Sequence, residues 1–278
     1  MNIADYFNKN HIDLTGLNSE SWIISSADES IIKRKIEEIG TPLKDWDVQI
    51  YRGVLTGFNE AFIIDGAKKD QLIKEDPKSA EIIKPILRGR DIKKYKAEFA
   101  DKWLINTHNG YKGVPRIDVS KYPAIKRHLE DVEERRKNGE FGEKAQKAPG
   151  LFKRSDQGDT PYNLRNCAYV GEFVKEKIVY PETTQDNSFC FENEGLFVDK
   201  TAFFFQSNSI KFLLSIFSSQ FFKKVYRKYF SSIELGKKAF QYNKHALESF
   251  PVPQISKEQQ KPFEKLVDYI LFLKEKDI

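Results

Sequence analysis

Apolar residues change their spacing several times along this chain, and each change predicts an element. Over ADESIIKRKIEEIG, Ile31, Ile32, Lys35, Ile36 and Ile39 recur at helical spacing with Gly40 as the stop, and the SWIISS just before them reads as a short strand. Residues 1–20 are polar and weakly periodic, and predict a lead-in or linker segment. Residues 47–51 (DVQIY) and 61–65 (AFIID) predict strands joined across RGVLTGFNE, where Gly53 and Gly57 permit a tight or positive-φ backbone. Residues 68–79 read as a charged excursion, and WLINTHNG from Trp103 as a strand with a polar, glycine-ended exit.

Residues 122–138 predict a helix opened by Pro123 and laced with the pairs Lys126/Glu130, Asp131/Arg135 and Glu133/Lys137, which mark a solvated helix. Residues 139–161 lack periodicity and predict a long mobile loop. KIVY at 177–180 is a strand that stops at Pro181, followed by polar ETTQDNS and then by more sheet in FCFENEGLFVDKTAFFF. Residues 210–230 predict one helix, with Leu214, Phe217, Phe221 and Val225 as its core stripe and Lys223, Lys224, Arg227 and Lys228 on the opposite arc. ESFPVP is extended around its prolines. The last helix, 256–276, has Ser256 and Gln259 at capping-box spacing and a buried stripe of Phe263, Leu266, Val267 and Ile270, with Pro262 tolerated in its first turn. The fold class is α+β: a mixed-sheet portion over 21–209 and a helical C-terminal portion over 210–278.

At 278 residues the chain can bury a core without disulfide or metal staples. Its two cysteines, Cys167 and Cys190, lack CxxC or histidine spacing, and read as buried small hydrophobes of a reducing compartment. No window has the apolar length of a membrane span and no signal sequence opens the chain, so a soluble, cytoplasmic protein without membrane contact is expected.

Charge changes the picture by its distribution. The excess of 46 basic over 41 acidic residues is small, but residues 84–96, around PILRGRDIKKY, gather Lys84, Arg88, Arg90, Lys93, Lys94 and Lys96 against Asp91 alone. Residues 211–245 hold Lys211, Lys223, Lys224, Arg227, Lys228, Lys237, Lys238 and Lys244 against Glu234 alone. Two such islands are what a groove tracking a phosphate backbone requires; the plainer alternative is a solvated helix face whose acids lie elsewhere in space.

Catalytic signatures are missing. The chain has no G-x-G-x-x-G, no phosphate-loop motif and no Asn-Pro-Pro-aromatic tetrapeptide, and His11, His108, His128 and His245 lack ligand spacing, so all four read as structural or surface residues and no cofactor or metal is expected in this chain. Asp91-Ile92-Lys93 matches half of a metal-dependent nuclease signature, although the nearest upstream acid, Asp76, precedes a proline. The competing role for Asp91 is to fix its neighbouring arginines. Basic side chains beside a glycine turn, as in LRGRDIKK, suit phosphates, whereas amides and hydroxyls in TTQDNS and ELGKKAFQYN suit base edges.

The ordered succession RGVLTGFNEAFIID, DQLIKEDPKSAEIIKPILRGRDIKKY, WLINT, YPAIKRHL, KIVYPE and ESFPVPQIS with QQKPFEKLVDYIL resembles the TaqI-like C-terminal specificity domain of type IIG restriction-modification enzymes and related adenine methyltransferases. The likeness runs from about Trp22 to the C-terminus. It implies a target recognition domain that binds double-stranded DNA and is not itself catalytic. S-adenosylmethionine and Mg are then expected only in upstream methyltransferase and nuclease domains of a longer parent, of which this chain would be a C-terminal piece or a free-standing counterpart. The resemblance makes Thr183, Thr184, Gln185, Asn187 and Ser188, together with Gly236, Lys237, Lys238, Gln241 and Tyr242 from the loop 236–243, the base-reading candidates. Arg52, Arg88, Arg90, Lys93, Lys94, Lys223 and Arg227 are the DNA-backbone candidates, with a structural role also open for the turn 88–91. Where many relatives carry a Trp-Tyr block, this chain has TPYNLRNCAY, which leaves the roles of Tyr162 and Arg165 open. The final helices resemble spacer helices of type I specificity subunits and imply a brace against the methyltransferase domain. Two other readings stand beside this one: a protein-interaction module with a basic docking helix, and a nuclease using Asp91 and Lys93.

Overall fold

The strand Ala202–Gln206 (AFFFQ) organises the molecule, because an apolar run without alternation must be covered on both faces. Its side chains divide by parity. Ala202 and Phe204 enter one core with Phe62, Ile86, Leu104 and Phe173, while Phe203 and Phe205 enter a second with Ile50, Tyr180, Phe212 and Phe217. The coordinates are a computed structural model that describes residues 2–11, 27–231, 234–235 and 239–276. The expected SWIISS strand lies outside the described residues.

Ala202–Gln206 sits inside an antiparallel sheet ordered Gln49–Arg52, Ala202–Gln206, Lys177–Pro181, Cys190–Glu192. A second sheet, ordered Ile63–Asp65, Lys102–Ile105, Ile83–Leu87, Phe197–Val198, is antiparallel except for its last, parallel pair. The helix Pro123–Lys137 joins the first core through Ile125, Leu129 and Val132. The helix Ile210–Phe217 joins the second core through Phe212, Leu213, Leu214 and Phe217, and the helix Lys257–Glu275 joins it through Val267. Near the ends of the described chain, Thr41–Pro42 pairs with Pro251–Val252. The architecture is α+β with mixed sheets, as the spacing predicts.

Several expectations need correction, each for a physical reason. AFIID is not one strand: Phe58, Ala61 and Phe62 are buried at helical spacing, so Asn59–Phe62 is a helical turn and the strand starts at Ile63. Within 68–79 lies the helix Gly66–Glu75, capped by Asp65, whose carboxylate accepts from Lys68 N at 2.9 Å; with Leu72 as its buried apolar anchor, its periodicity is faint. The helix Pro123–Lys137 is solvated on one side only, and Glu133 pairs with buried Arg136 at 2.8 Å while Lys137 takes Glu134.

The expected mobile loop at 139–161 contains the helices Glu143–Lys147 and Gly150–Lys153. Arg136 Nη1 donates to the carbonyls of Gln146 (2.6 Å) and Ala148 (2.9 Å), and Arg154, 2% exposed, donates from Nε to Thr56 O at 3.0 Å. The expected single helix at 210–230 breaks at Ser218-Ser219, where Ser219 Oγ caps Gln220–Val225 by accepting from Phe222 N at 3.0 Å; a π turn, Tyr226–Phe230, follows. The break rotates the second half, so Phe222 is buried and Phe221 is 58% exposed. The capping box at Ser256 and Gln259 forms, Pro262 lies inside the helix beyond its first turn, and Phe263 and Leu266 are exposed instead of buried.

Candidate nucleic-acid interface

The two polar loops meet. The strand Lys177–Pro181 runs on into Thr183–Thr184, and Ala239–Gln241 pairs antiparallel with it in the register Phe240↔Thr184 and Gln241↔Thr183. Glu234–Leu235 completes this small sheet among the described residues. Because side chains alternate across a strand, Phe240 turns inward and is buried, while Gln241 and the exposed Thr183 form a cross-strand pair on the outer face.

Parity also settles Tyr242. It faces the core like Phe240, is fully buried, and packs on Phe189 and Tyr226 with ring centroids 4.9 Å apart in each pair, so the base-reading role expected of it is overturned. Burial pushes its phenol well above the ordinary range. Asn187 is likewise removed from the candidates: it is fully buried, and its Nδ2 donates to Phe217 O (3.2 Å) and Ser219 O (3.0 Å), closing the helix break. Thr184 Oγ1 donates to Asp186 O at 2.8 Å and accepts from Asp186 N at 3.1 Å, an internal turn bond, and half-buried Ser188 lies 3.3 Å from it, which leaves Thr183 and Gln185 as the exposed candidates of this loop. Gly236, Lys237 and Lys238 lie outside the described residues.

The cations divide similarly. Arg88 grips Asp91 in a bidentate pair, Nε to Oδ2 and Nη2 to Oδ1 both at 2.8 Å, and the Arg88 N–H donates to the same carboxylate at 2.9 Å. Burial pushes the Asp91 carboxyl up, but the hydrogen bonds and charge of Arg88 outweigh it and leave the group below its ordinary range. The glycine turn is no phosphate cradle: Gly89 N donates to Thr201 Oγ1 at 2.8 Å, and a Cβ at Gly89 would lie 2.6 Å from Thr201 O, so glycine is there for close packing. With both Asp91 oxygens committed to Arg88 and Lys93 Nζ donating to Arg90 O at 2.7 Å, the nuclease reading loses its metal-binding acid.

Arg90 is exposed and, with Arg88, Lys102 and Thr183, lines a cleft of about 640 Å³ that also presents Glu60, Glu182 and Asp199. The cleft is of mixed charge, not a uniform cationic trough. Arg52 reaches Glu182 at 3.5 Å and lies over the Phe203 ring at 5.6 Å. The two islands converge at Asp186: Lys223 Nζ is 2.7 Å from Asp186 Oδ1, and after burial, which raises it, the charges of Lys223 and Lys94 help hold that carboxyl low. Lys94 lies 5.5 Å from the Tyr95 centroid, and Arg227 sits 6.0 Å from the ring of the inward-facing Phe240. Of the open positions, Tyr162 donates its hydroxyl to Glu130 Oε1 at 2.6 Å and Arg165 reaches Asp156 at 3.1 Å. Among the described residues no helix is long and apolar enough to cross a membrane.

This architecture has solved counterparts. The type IIL restriction-modification enzyme MmeI, in a structure determined in complex with DNA, superposes with a TM-score of 0.56 at 15% identity over 85% of this chain and 29% of its own. The type IIG restriction endonuclease BpuSI gives 0.53 at 14% identity, over 87% of this chain and 28% of its own. In sequence, the type II methyltransferase M.PaeR7I of Pseudomonas aeruginosa is 24% identical over 191 residues, 68% of this chain and 29% of that protein. The chain thus spans under a third of the length of these proteins. More than half of it, residues 84–252, matches the TaqI-like C-terminal specificity domain, and the chain belongs to that family.

Proposed function

We propose that the domain seats double-stranded DNA against the small sheet of Thr183–Thr184 and Ala239–Gln241 and reads base sequence there. It would serve an adenine-specific methyltransferase or type IIG restriction-modification enzyme as its target recognition part, with no catalytic step of its own. The observation that carries this reading is the register of the sheet, which brings the outward Thr183 and Gln241 of two distant segments side by side, with Thr183 on the cleft that Arg90 lines and Lys223 at Asp186 just beyond it. An amide and a hydroxyl on one rigid strand pair suit base edges, and the surrounding cations suit phosphates. S-adenosylmethionine and Mg belong, in this reading, to other domains of the parent. The helix Lys257–Glu275 carries Phe263, Leu266, Tyr269 and Phe272, each more than 40% exposed, and we assign this face to bracing against the methyltransferase domain.

A binding selection from randomised duplexes tests the reading. Gln241→Ala is expected to relax the preference at one base pair, by about 1–3 kcal/mol of discrimination. Unchanged preference in both Gln241→Ala and Thr183→Val removes the sheet from the interface.

A further inference from the structure

A second concavity, of about 310 Å³, lies behind Arg52 and Tyr169, a volume at the lower end of the range for small-ligand sites. Val54, Val170, Phe173 and Phe197 make its lining apolar, and Tyr169, held by a hydroxyl bond to Arg52 O at 3.1 Å, forms a wall. Arg52, Arg165 and Asn166 line it from exposed positions, whereas Asn106 and His108 are buried, 6% and 8% exposed. Their buried neighbours are satisfied from within, Thr107 Oγ1 donating to Tyr162 O at 2.7 Å and Asn163 Nδ2 to Ile117 O at 2.9 Å. The Asn106 backbone N–H donates to Ile82 O at 2.7 Å, but its side-chain amide has no hydrogen-bond partner among the described residues.

His108 has a defined tautomer. Its Nδ1 accepts from Gly110 N at 3.2 Å, and burial pushes the imidazole pKa down, so the ring is neutral with its proton on Nε2. That N–H also has no partner among the described residues. Neither group is sealed in the protein interior: both open on the cavity, where a ligand that fits can answer them.

We propose that this cavity takes a nucleobase, with adenine the best match. The Asn106 amide offers an acceptor beside a donor, the bidentate complement of an exocyclic amine and its neighbouring ring nitrogen. His108 Nε2–H supplies a donor to a second ring nitrogen, and half-buried Tyr169 supplies an aromatic wall. The base arrives either as a free nucleoside or as an extrahelical base of a bound duplex. The second source rests on the DNA-binding reading above, and the geometry allows it, because Arg52 on the cavity wall reaches Glu182 on the large cleft at 3.5 Å.

Calorimetric titration of the 278-residue chain with adenosine and with uridine, beside binding of a fully paired duplex and one with a bulged adenine, separates the outcomes. Adenosine is expected to bind at least tenfold more tightly than uridine, and Asn106→Leu to remove that advantage. Leu55→Trp, at a half-buried position of the cavity wall, fills the site without deleting a polar group and gives the same loss even if Asn106→Leu folds poorly. A tenfold preference for the bulged duplex, lost in both variants, identifies the extrahelical source; adenosine binding without that preference identifies the free one. Equal adenosine and uridine binding with no bulge preference, in a protein that still binds paired duplex, overturns the cavity assignment and leaves the DNA reading intact. Adenosine binding that depends on Asn106, with no duplex binding, does the reverse.

Discussion

The two basic islands look alike as text and are built differently in space. In the first, the balancing acid is local: Asp91, 5% exposed, stands three residues from Arg88 and holds it through two hydrogen bonds. In the second, Lys244 has Glu248 four residues on, but three other lysines take acids from remote segments, Asp186 for Lys223, Asp268 for Lys211 and Glu29 for Lys228, and these pairs are far more exposed. One arginine of the first island is therefore part of the core's scaffold, while the second island keeps its cations at the surface, where water and salt screen them. A run of like charge describes a surface only after its partner acids have been located.

The largest break in this comparison is expected from Asp91→Ala. It strands a half-buried guanidinium and removes the acceptor of the Arg88 N–H, and should cost about 3 kcal/mol of stability, measured by urea unfolding. Asp186→Ala, which removes an exposed partner, should cost less than about 1 kcal/mol in the same assay. The pH dependence sharpens the contrast. The Asp91 carboxyl is depressed in the folded protein, so its stabilisation is fully present above the unfolded value of about 3.9 and is lost as pH falls through the folded one. The stability gap between wild type and Asp91→Asn should therefore be flat at neutral pH and close under acid.

A smaller effect is expected at Arg90, exposed on the cleft. Arg90→Ala should leave stability unchanged, weaken duplex binding alike for all sequences, and lower the salt slope by about 1 if the side chain neutralises one phosphate. Smallest of all, Lys223→Ala should shift stability by about 0.5 kcal/mol or less while weakening duplex binding through the lost cation.

Several elements are legible from local pattern alone. The helix Pro123–Lys137 announces itself by its proline start and charge pairs, the final helix by its Ser256/Gln259 box, and the strands Gln49–Arg52 and Lys177–Pro181 by apolar runs bounded by turn residues. Tyr242 was also legible in principle: in AFQYN, Phe240 and Tyr242 share a parity, so one strand cannot present Gln241 and Tyr242 on the same face. Asn187 was not, because its burial depends on a helix break thirty residues downstream whose carbonyls it satisfies. Nor was the order of residues 139–161, which Arg136 and Arg154 impose by donating to backbone carbonyls. Lys177 shows the same limit: it opens an apolar strand yet is fully buried, where it meets Glu192 and donates to Phe173 O at 2.6 Å.

The sequence by itself determined the kind of the strongly periodic helices and strands, the family likeness and the identity of the cations, because helix period, strand parity and capping are interactions between residues close along the chain. Only the tertiary structure decided which polar residues reach the outside. Thr183 and Gln241 become neighbours through a strand register, Asn106 and His108 line one cavity through the packing of a loop over a sheet, and Asn187 is withdrawn by carbonyls of a helix break thirty residues on. In each case the deciding contact joins groups whose relative orientation is fixed by how the chain packs, and no local pattern encodes that orientation.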